Sequence, residues 1–126
     1  MQSKTRVVAF GVFDGLHPGH IYFLQQAKEL GDELFVVVTR DHTAEREKGR
    51  PRLNEDERCE LVNALKIVDR AVLGDTIESY GNVIRELQPD IIAVGYDQKR
   101  NDTAIRSVRL NAYEPHRCHT SKIKAS

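Results

Sequence analysis

A chain of 126 residues that is 40% hydrophobic and 30% charged can build one core of sheet and helices but not two, and its composition excludes disorder. The formal net charge of zero argues against a general nucleic-acid binder. With no apolar run near about 18 residues and no signal-peptide pattern at Met1–Lys4, neither a membrane span nor secretion is supported. A cytoplasmic protein with reduced thiols at Cys59 and Cys118 is the expectation. The charge is uneven: residues 1–98 carry 12 basic and 17 acidic side chains, residues 99–126 carry 7 and 2. Such a basic tail either reaches an anionic ligand or an acidic neighbouring subunit, or is simply solvated.

In chain order, Val7, Val8, Ala9 and Phe10 form an unbroken apolar run, as a strand covered on both faces would. The turn GVFDGLHPGH, Gly11 to His20, leaves its C-terminal end. Pro18 suits a first helical turn, where its missing N–H costs nothing. Gly19 admits a ligand close to the backbone, and His20 falls at the helix start beside His17. Strand, glycine turn and helix make the layout of a phosphate site at a helix N-terminus. The bland alternative is that the two histidines only cap and pack the helix. Ile21, Leu24 and Ala27 share a face, with Phe23 and Leu30 beside them, so the helix buries against a sheet. Gly31-Asp32 predicts a left-handed C-cap. Leu34–Val38 reads as a second buried parallel strand, completing a right-handed βαβ unit.

The charged segment Arg40–Leu53 reads as a loop, with His42 a loop residue of no special role and Arg46, Lys48, Arg50 and Arg52 gathered around Gly49 and Pro51. It leaves the C-terminal edge of a strand, where ligands of open α/β sheets bind. It is therefore either a solvated loop or a cationic flap able to close over a triphosphate. Asn54 and Glu57 have capping-box spacing, starting a helix whose buried stripe is expected at Leu61, Val62 and Leu65, with Cys59 and Ala64 packed nearby. Ala71–Leu73 is a third strand, Ser79–Leu87 a helix with Tyr80, Val83, Ile84 and Leu87 at helical spacing, and Ile91–Val94 a fourth strand. Gly95-Tyr96-Asp97-Gln98 leaves that strand on the same edge as His17 and His20, which places Asp97 to meet a ribose hydroxyl or a base. Val108–Tyr113 reads as a last short strand. His116, Cys118 and His119 lack a fourth ligand and a metal-finger spacing, so no protein metal site is expected. The fold class is α/β: one domain over residues 1–126 with a doubly wound, mainly parallel, Rossmann-like sheet. Val7–Phe10 should lie near its centre and the ligand crevice beyond that strand's C-terminal end.

GVFDGLHPGH resembles the G-x-F-D-x-x-H-x-G-H signature of the cytidylyltransferase-like nucleotidyltransferases, whose two histidines contact the phosphates of a nucleoside triphosphate. The likeness continues through KGRPRLNEDER, LVNALKIVDRAVLG, ELQPDIIAVGYDQ and TSKI. VGYDQ, VRLNAY and HTS look most similar to archaeal-type FAD synthases, which join the AMP part of ATP to FMN. Glycerol-3-phosphate cytidylyltransferases and sugar-phosphate adenylyltransferases share the core and are the alternatives. The resemblance implies catalytic roles for His17, His20 and Lys48, and phosphate contacts at Lys48 and Arg58. It implies nucleotide contacts at Val12, Phe13, Pro18, Gly19, Asp97, Tyr113, Thr120 and Ser121 as well as at the two histidines. It also implies Mg²⁺ or another divalent cation with the triphosphate, ATP or CTP as donor, a phosphorylated acceptor with FMN favoured, and a homodimer.

Two departures stand out. Arg117 is spaced differently from Lys122 than the arginine before the G-I-S-T-T-K-I ending of the glycerol-phosphate enzymes, and the interval from Gln98 to Val108 is shorter than the family's last helix and strand. The implied reaction is attack by an acceptor phosphate oxygen on the α-phosphorus, with pyrophosphate leaving. A phosphate monoester is already ionised near neutral pH, so positioning and charge stabilisation carry the catalysis rather than a strong base. A non-catalytic nucleotide-binding module would keep the glycine turn but would not need both histidines.

Overall fold

In the computed structural model, residues 4–75, 81–95 and 105–111 are described, with Glu47 and Lys48 described by their backbone alone. The chain runs β1 (Arg6–Gly11), α1 (Pro18–Lys28), β2 (Glu33–Val38), α2 (Asp41–Lys48), α3 (Glu55–Asn63), β3 (Arg70–Leu73), α4 (Gly81–Leu87), β4 (Ile91–Val94) and β5 (Arg106–Arg109). The strands lie in the order β3-β2-β1-β4-β5, and every neighbouring pair is parallel. The expected central strand is central.

Alternation along β1 explains why its sequence is apolar without a break. Val7 and Ala9 face a core built with Leu24 and Ala27 of α1 and Val62 of α3. Val8 and Phe10 face the opposite way, into a second core with Val83 and Leu87 of α4. Both faces of the sheet are covered, as all-parallel sheets require. Burying each of these larger side chains stabilises the fold by roughly 1.5–3 kcal/mol. The chain leaves β1 towards β2 and β3 on one side and returns to β4 and β5 on the other, so the strand order reverses between β1 and β4 while all strands stay parallel. A ligand crevice opens at such a switch point, beyond the strands' C-terminal ends.

Four expectations are corrected. The segment after Arg40 is not a loop: residues 41–48 form α2, and His42 lies exposed on it. Its charged sequence has no apolar stripe because, among its described side chains, only Thr43 and Ala44 are buried. Its first turn is held instead by Glu55, which accepts from Asp41 N at 2.8 Å and from Arg40 Nη1 at 3.1 Å. Secondly, Gly31 is not a left-handed cap. The helix ends at Glu29 in right-handed geometry, and a Cβ on Gly31 would lie 2.7 Å from Thr5 O, so close backbone approach is what requires glycine there. Thirdly, Leu61 is 44% exposed and Ala64 is exposed; the buried face of α3 is Arg58 and Val62. Fourthly, the last strand begins at Arg106 and ends at Arg109 rather than running from Val108 to Tyr113.

Other expectations hold. Asn54 and Glu57 form the reciprocal capping box, with Glu57 N to Asn54 Oδ1 at 2.8 Å and Asn54 N to Glu57 Oε1 at 3.0 Å. Cys59 packs half-buried against the first core, and burial pushes its thiol up. No helix among the described residues is long and apolar enough to cross a membrane.

At the edge of the sheet away from the crevice, Asp69 accepts from Leu34 N at 2.7 Å and from Lys28 Nζ at 2.8 Å. The Lys28 ammonium, then the Leu34 N–H, hold its carboxyl below the ordinary value. A carboxylate depressed in the folded state stabilises the fold above its unfolded pKa of about 3.9, and that contribution is lost as pH falls through the lower folded value. Because the side chain is 43% exposed, the effect is screened. Asp69→Asn is expected to cost about 1 kcal/mol at pH 7, with the gap to wild type narrowing as the pH is lowered below the unfolded value of about 3.9; urea denaturation over a series of acidic pH values measures both.

Candidate active site

The turn that leaves β1 is bent by one residue in an uncommon conformation. Phe13 has φ of 53°, left-handed backbone that costs a non-glycine residue about 1–2 kcal/mol. Its ring is 3% exposed and folds back onto Gly11, where a Cβ would lie 2.7 Å from Phe13 Cε2. Gly11 and Phe13 are therefore a matched pair: the missing side chain of one is the seat of the other. The same ring meets His20 at a centroid distance of 5.4 Å, so the strained residue also backs a histidine of the motif.

Both histidines cap α1. Pro18 occupies its first position, Gly19 N donates to His17 Nδ1 at 3.0 Å, and His17 N donates to His20 Nδ1 at 3.3 Å. This is a capping box with imidazoles in place of the usual hydroxyl and carboxylate. The two rings stack at 3.8 Å between centroids. Since each Nδ1 accepts, each neutral ring carries its proton on Nε2. Capping and anion binding thus draw on different nitrogens, and the two readings of the histidine pair are compatible.

Arg58 lies beneath the turn with no exposed surface. Its Nη1 donates to Val12 O and Thr39 O, both at 2.8 Å, its Nε to Leu53 O at 3.0 Å, and its Nη2 to Asp41 Oδ1 at 2.6 Å. The expected phosphate contact is corrected here: these bonds commit the guanidinium to the protein. Asp14 adds a second tie, accepting from Arg52 N at 2.9 Å and Leu53 N at 3.0 Å. Those two peptide N–H groups hold its carboxyl below the usual carboxylate range. Together Arg58 and Asp14 fasten the strap of residues 49–53 to the turn.

The result is one cavity of about 620 Å³ at the switch point, a size suited to a nucleotide-sized ligand. Val12, Phe13, His17, Pro18, Gly19 and His20 all line it. The strap contributes Gly49, Arg50 and Pro51 on the β2 side, and Gly95 and Asn111 stand on the β4 side. Lys48 ends α2, its side chain outside the described residues, as are Asp97, Tyr113, Thr120 and Ser121. Sequence reasoning missed Asp14 as the tie to the strap, although its place in G-x-F-D was the available signal. It also missed Asn111, although that residue lies in the VRLNAY segment from which only Tyr113 was drawn.

A family model described as cytidylyltransferase-like matches residues 8–124. The chain belongs to the cytidylyltransferase-like family. Among curated relatives of this cytidylyltransferase-like chain, a FAD synthase of Aciduliprofundum boonei is 55% identical over 101 residues, 80% of this chain and 67% of that protein. A FAD synthase of Methanosarcina mazei is 54% identical over 106 residues, 84% and 68% of the two chains. A FAD synthase of Pyrococcus horikoshii is 42% identical over 133 aligned positions, 95% and 90% of the two chains. That span exceeds the 126 residues present here, so the Pyrococcus protein has residues this chain lacks. Among solved structures, the lipopolysaccharide core biosynthesis protein from Thermoplasma volcanium superposes with a TM-score of 0.84 at 41% identity, covering 89% of this chain and 100% of that one.

Replacing Arg58 tests whether it is scaffold. Arg58→Met removes a donor from three carbonyls and the cation from Asp41, so a loss of about 3 kcal/mol in stability is expected. Arg58→Lys, which lacks the planar fork, should recover only part of it. Urea denaturation of the two variants gives both values.

Proposed function

We propose that this chain is an FMN adenylyltransferase, taking AMP from ATP to FMN to give FAD and pyrophosphate. The observation that carries the reading is the stacked, doubly capped pair His17 and His20 at the mouth of a nucleotide-sized cavity, in a chain about half identical to archaeal FAD synthases. In the reaction an FMN phosphate oxygen attacks the α-phosphorus of ATP, a new P–O bond forms, and the bond to the bridging oxygen of the β-phosphate breaks. Its electron pair leaves with pyrophosphate. The Nε2–H groups of His17 and His20 donate to phosphate oxygens on which charge develops, and Arg50 and Lys48 add positive potential from the strap side. Val12, Phe13, Pro18 and Gly19 shape the phosphate-binding turn, and Asp97, Tyr113, Thr120 and Ser121 complete the nucleotide set in this reading.

Among the described residues no cluster of three side chains could hold a metal ion, and Asp14, the acidic residue of the described lining, already accepts two peptide N–H groups. That donor set fits a Mg²⁺ carried by the triphosphate oxygens and water rather than by a protein cage. When bound, the ion offsets charge on the β- and γ-phosphates. The reading takes residues 1–126 as one nucleotidyltransferase domain acting in the cytoplasm.

A second reading, a sugar-phosphate acceptor, is favoured by the similarity to the Thermoplasma lipopolysaccharide core biosynthesis protein. A pyrophosphate-release assay crossing ATP and CTP with FMN, glycerol 3-phosphate and a sugar phosphate separates the possibilities, and FAD is the expected product. Pyrophosphate from CTP with glycerol 3-phosphate, and none from ATP with FMN, would sink the reading. Because the histidines also cap α1, His17→Asn and His20→Gln are the informative variants: each keeps an acceptor for the cap and removes the imidazole Nε2–H. Each should fold like wild type and lose roughly 10²- to 10³-fold in turnover. Near-wild-type turnover in either one removes that histidine from the mechanism.

A homodimer completes the reading, supported by the acidic 1–98 and basic 99–126 portions of the sequence. Light scattering at micromolar concentration should give twice the 14.3 kDa chain mass; a monomeric mass contradicts it.

A further inference from the structure

The two sides of the cavity differ in chemistry. The β2 side carries Arg50, the described lining residue with a permanent positive charge, whereas Gly95 and Asn111 on the β4 side are neutral. Phosphate groups are drawn to the histidines and Arg50. The uncharged base of a nucleotide is left the β4 side.

Asn111 is held there in an unusual way. Where β5 leaves the sheet, Leu110 N donates to Val94 O at 2.7 Å, the last rung. The next peptide is taken over by α1: Gln26 Nε2 donates to Asn111 O at 3.2 Å, and Asn111 N donates to Gln26 Oε1 at 3.4 Å. This cyclic amide pair extends the ladder of an edge strand with a side chain in place of a strand. It occupies the main chain of Asn111, so what the residue offers the cavity is its side-chain amide, which makes no hydrogen bond to another described residue. Phe23, one turn before Gln26 on the same helix face, lines the same cavity. An apolar ring beside a donor and acceptor pair is what a nucleobase requires. The amide of Asn complements adenine, whose 6-amino group lies next to a ring nitrogen acceptor.

We propose that Asn111 reads the base of the nucleoside triphosphate and that Gln26 is the positioning residue that holds it in place. The inference rests on the nucleotidyl-transfer reading above and adds the contact that the phosphate-binding groups, blind to the base, do not supply.

The test is calorimetric titration with Mg²⁺ and either ATP or purine riboside 5′-triphosphate, which lacks the 6-amino group. Wild type should bind ATP roughly 10- to 100-fold more tightly than the analogue. Asn111→Ala should weaken ATP to the level of the analogue, with affinity for inorganic triphosphate and the thermal midpoint unchanged. Gln26→Leu should narrow the discrimination part of the way with affinity for inorganic triphosphate unchanged, at the cost of the two hydrogen bonds to the Asn111 main chain. Equal binding of ATP and the analogue by wild type, full discrimination retained by Asn111→Ala, or no ATP binding at all overturns the assignment. Full discrimination in Gln26→Leu overturns the role of Gln26. Failure to form FAD in a wild type that binds ATP and discriminates through Asn111 would count against FMN as acceptor and leave the base contact standing.

Discussion

A guanidinium without exposed surface is the constraint on which the site depends. Arg58 ties together the turn after β1 at Val12, the residue after β2 at Thr39, the first turn of α2 at Asp41 and the strap at Leu53. Removing a cation from water costs several kcal/mol, which three carbonyl acceptors and one carboxylate offset here. Arginine suits the position because it presents five donors in a rigid plane and stays charged at any accessible pH. A lysine could reach one or two of these acceptors but not all four. The turn and the strap are consequently placed relative to each other by a single side chain, and the cavity between them inherits that placement.

The same dependence explains what could be read from the sequence and what could not. The sheet was legible because Val7–Phe10, Leu34–Val38 and Ile91–Val94 are buried on both faces, and such runs carry their own signature. The histidine pair was legible because a local motif fixes it. Helix α2 was not: its register is set by Glu55 and Arg58, more than a dozen residues away, and its own residues show no apolar period. Arg58 was expected to contact phosphate only because the family resemblance implied it; the tertiary arrangement shows it underneath the turn. Gly31 misled for a related reason, since a glycine after a helix signals a left-handed cap locally, while the actual requirement comes from Thr5 on the neighbouring segment.

The motif itself is better understood as a mechanical unit than as a set of ligands. Gly11 has no side chain so that Phe13 can fold over it, Phe13 accepts left-handed backbone to do so, and its ring then supports His20. His20 and His17 satisfy the first backbone groups of α1 through Nδ1. Strain of about 1–2 kcal/mol at Phe13 is thereby tolerated inside a well-packed turn, and the imidazoles are fixed in orientation before any ligand arrives. Preorganised donors of this kind stabilise developing charge without reorganising during the reaction.

In the proposed reading, a turn built in this way meets only the phosphates of its ligand. Any triphosphate satisfies it, and neither the strap's cation nor the histidines distinguish one base or one acceptor from another. Within such a fold, selectivity has to come from the walls on either side of the turn: the strap beyond β2, and Gly95 and Asn111 beyond β4 and β5. These are the parts the sheet constrains least, because they lie past the last ladder hydrogen bonds. Here the β5 side is tied down by Gln26 from α1, a helix whose other end carries the histidines. One helix therefore carries both the histidines and the tie to the wall beside them, and in the proposed reading a base bound against Asn111 is measured from the same origin as the phosphorus under attack.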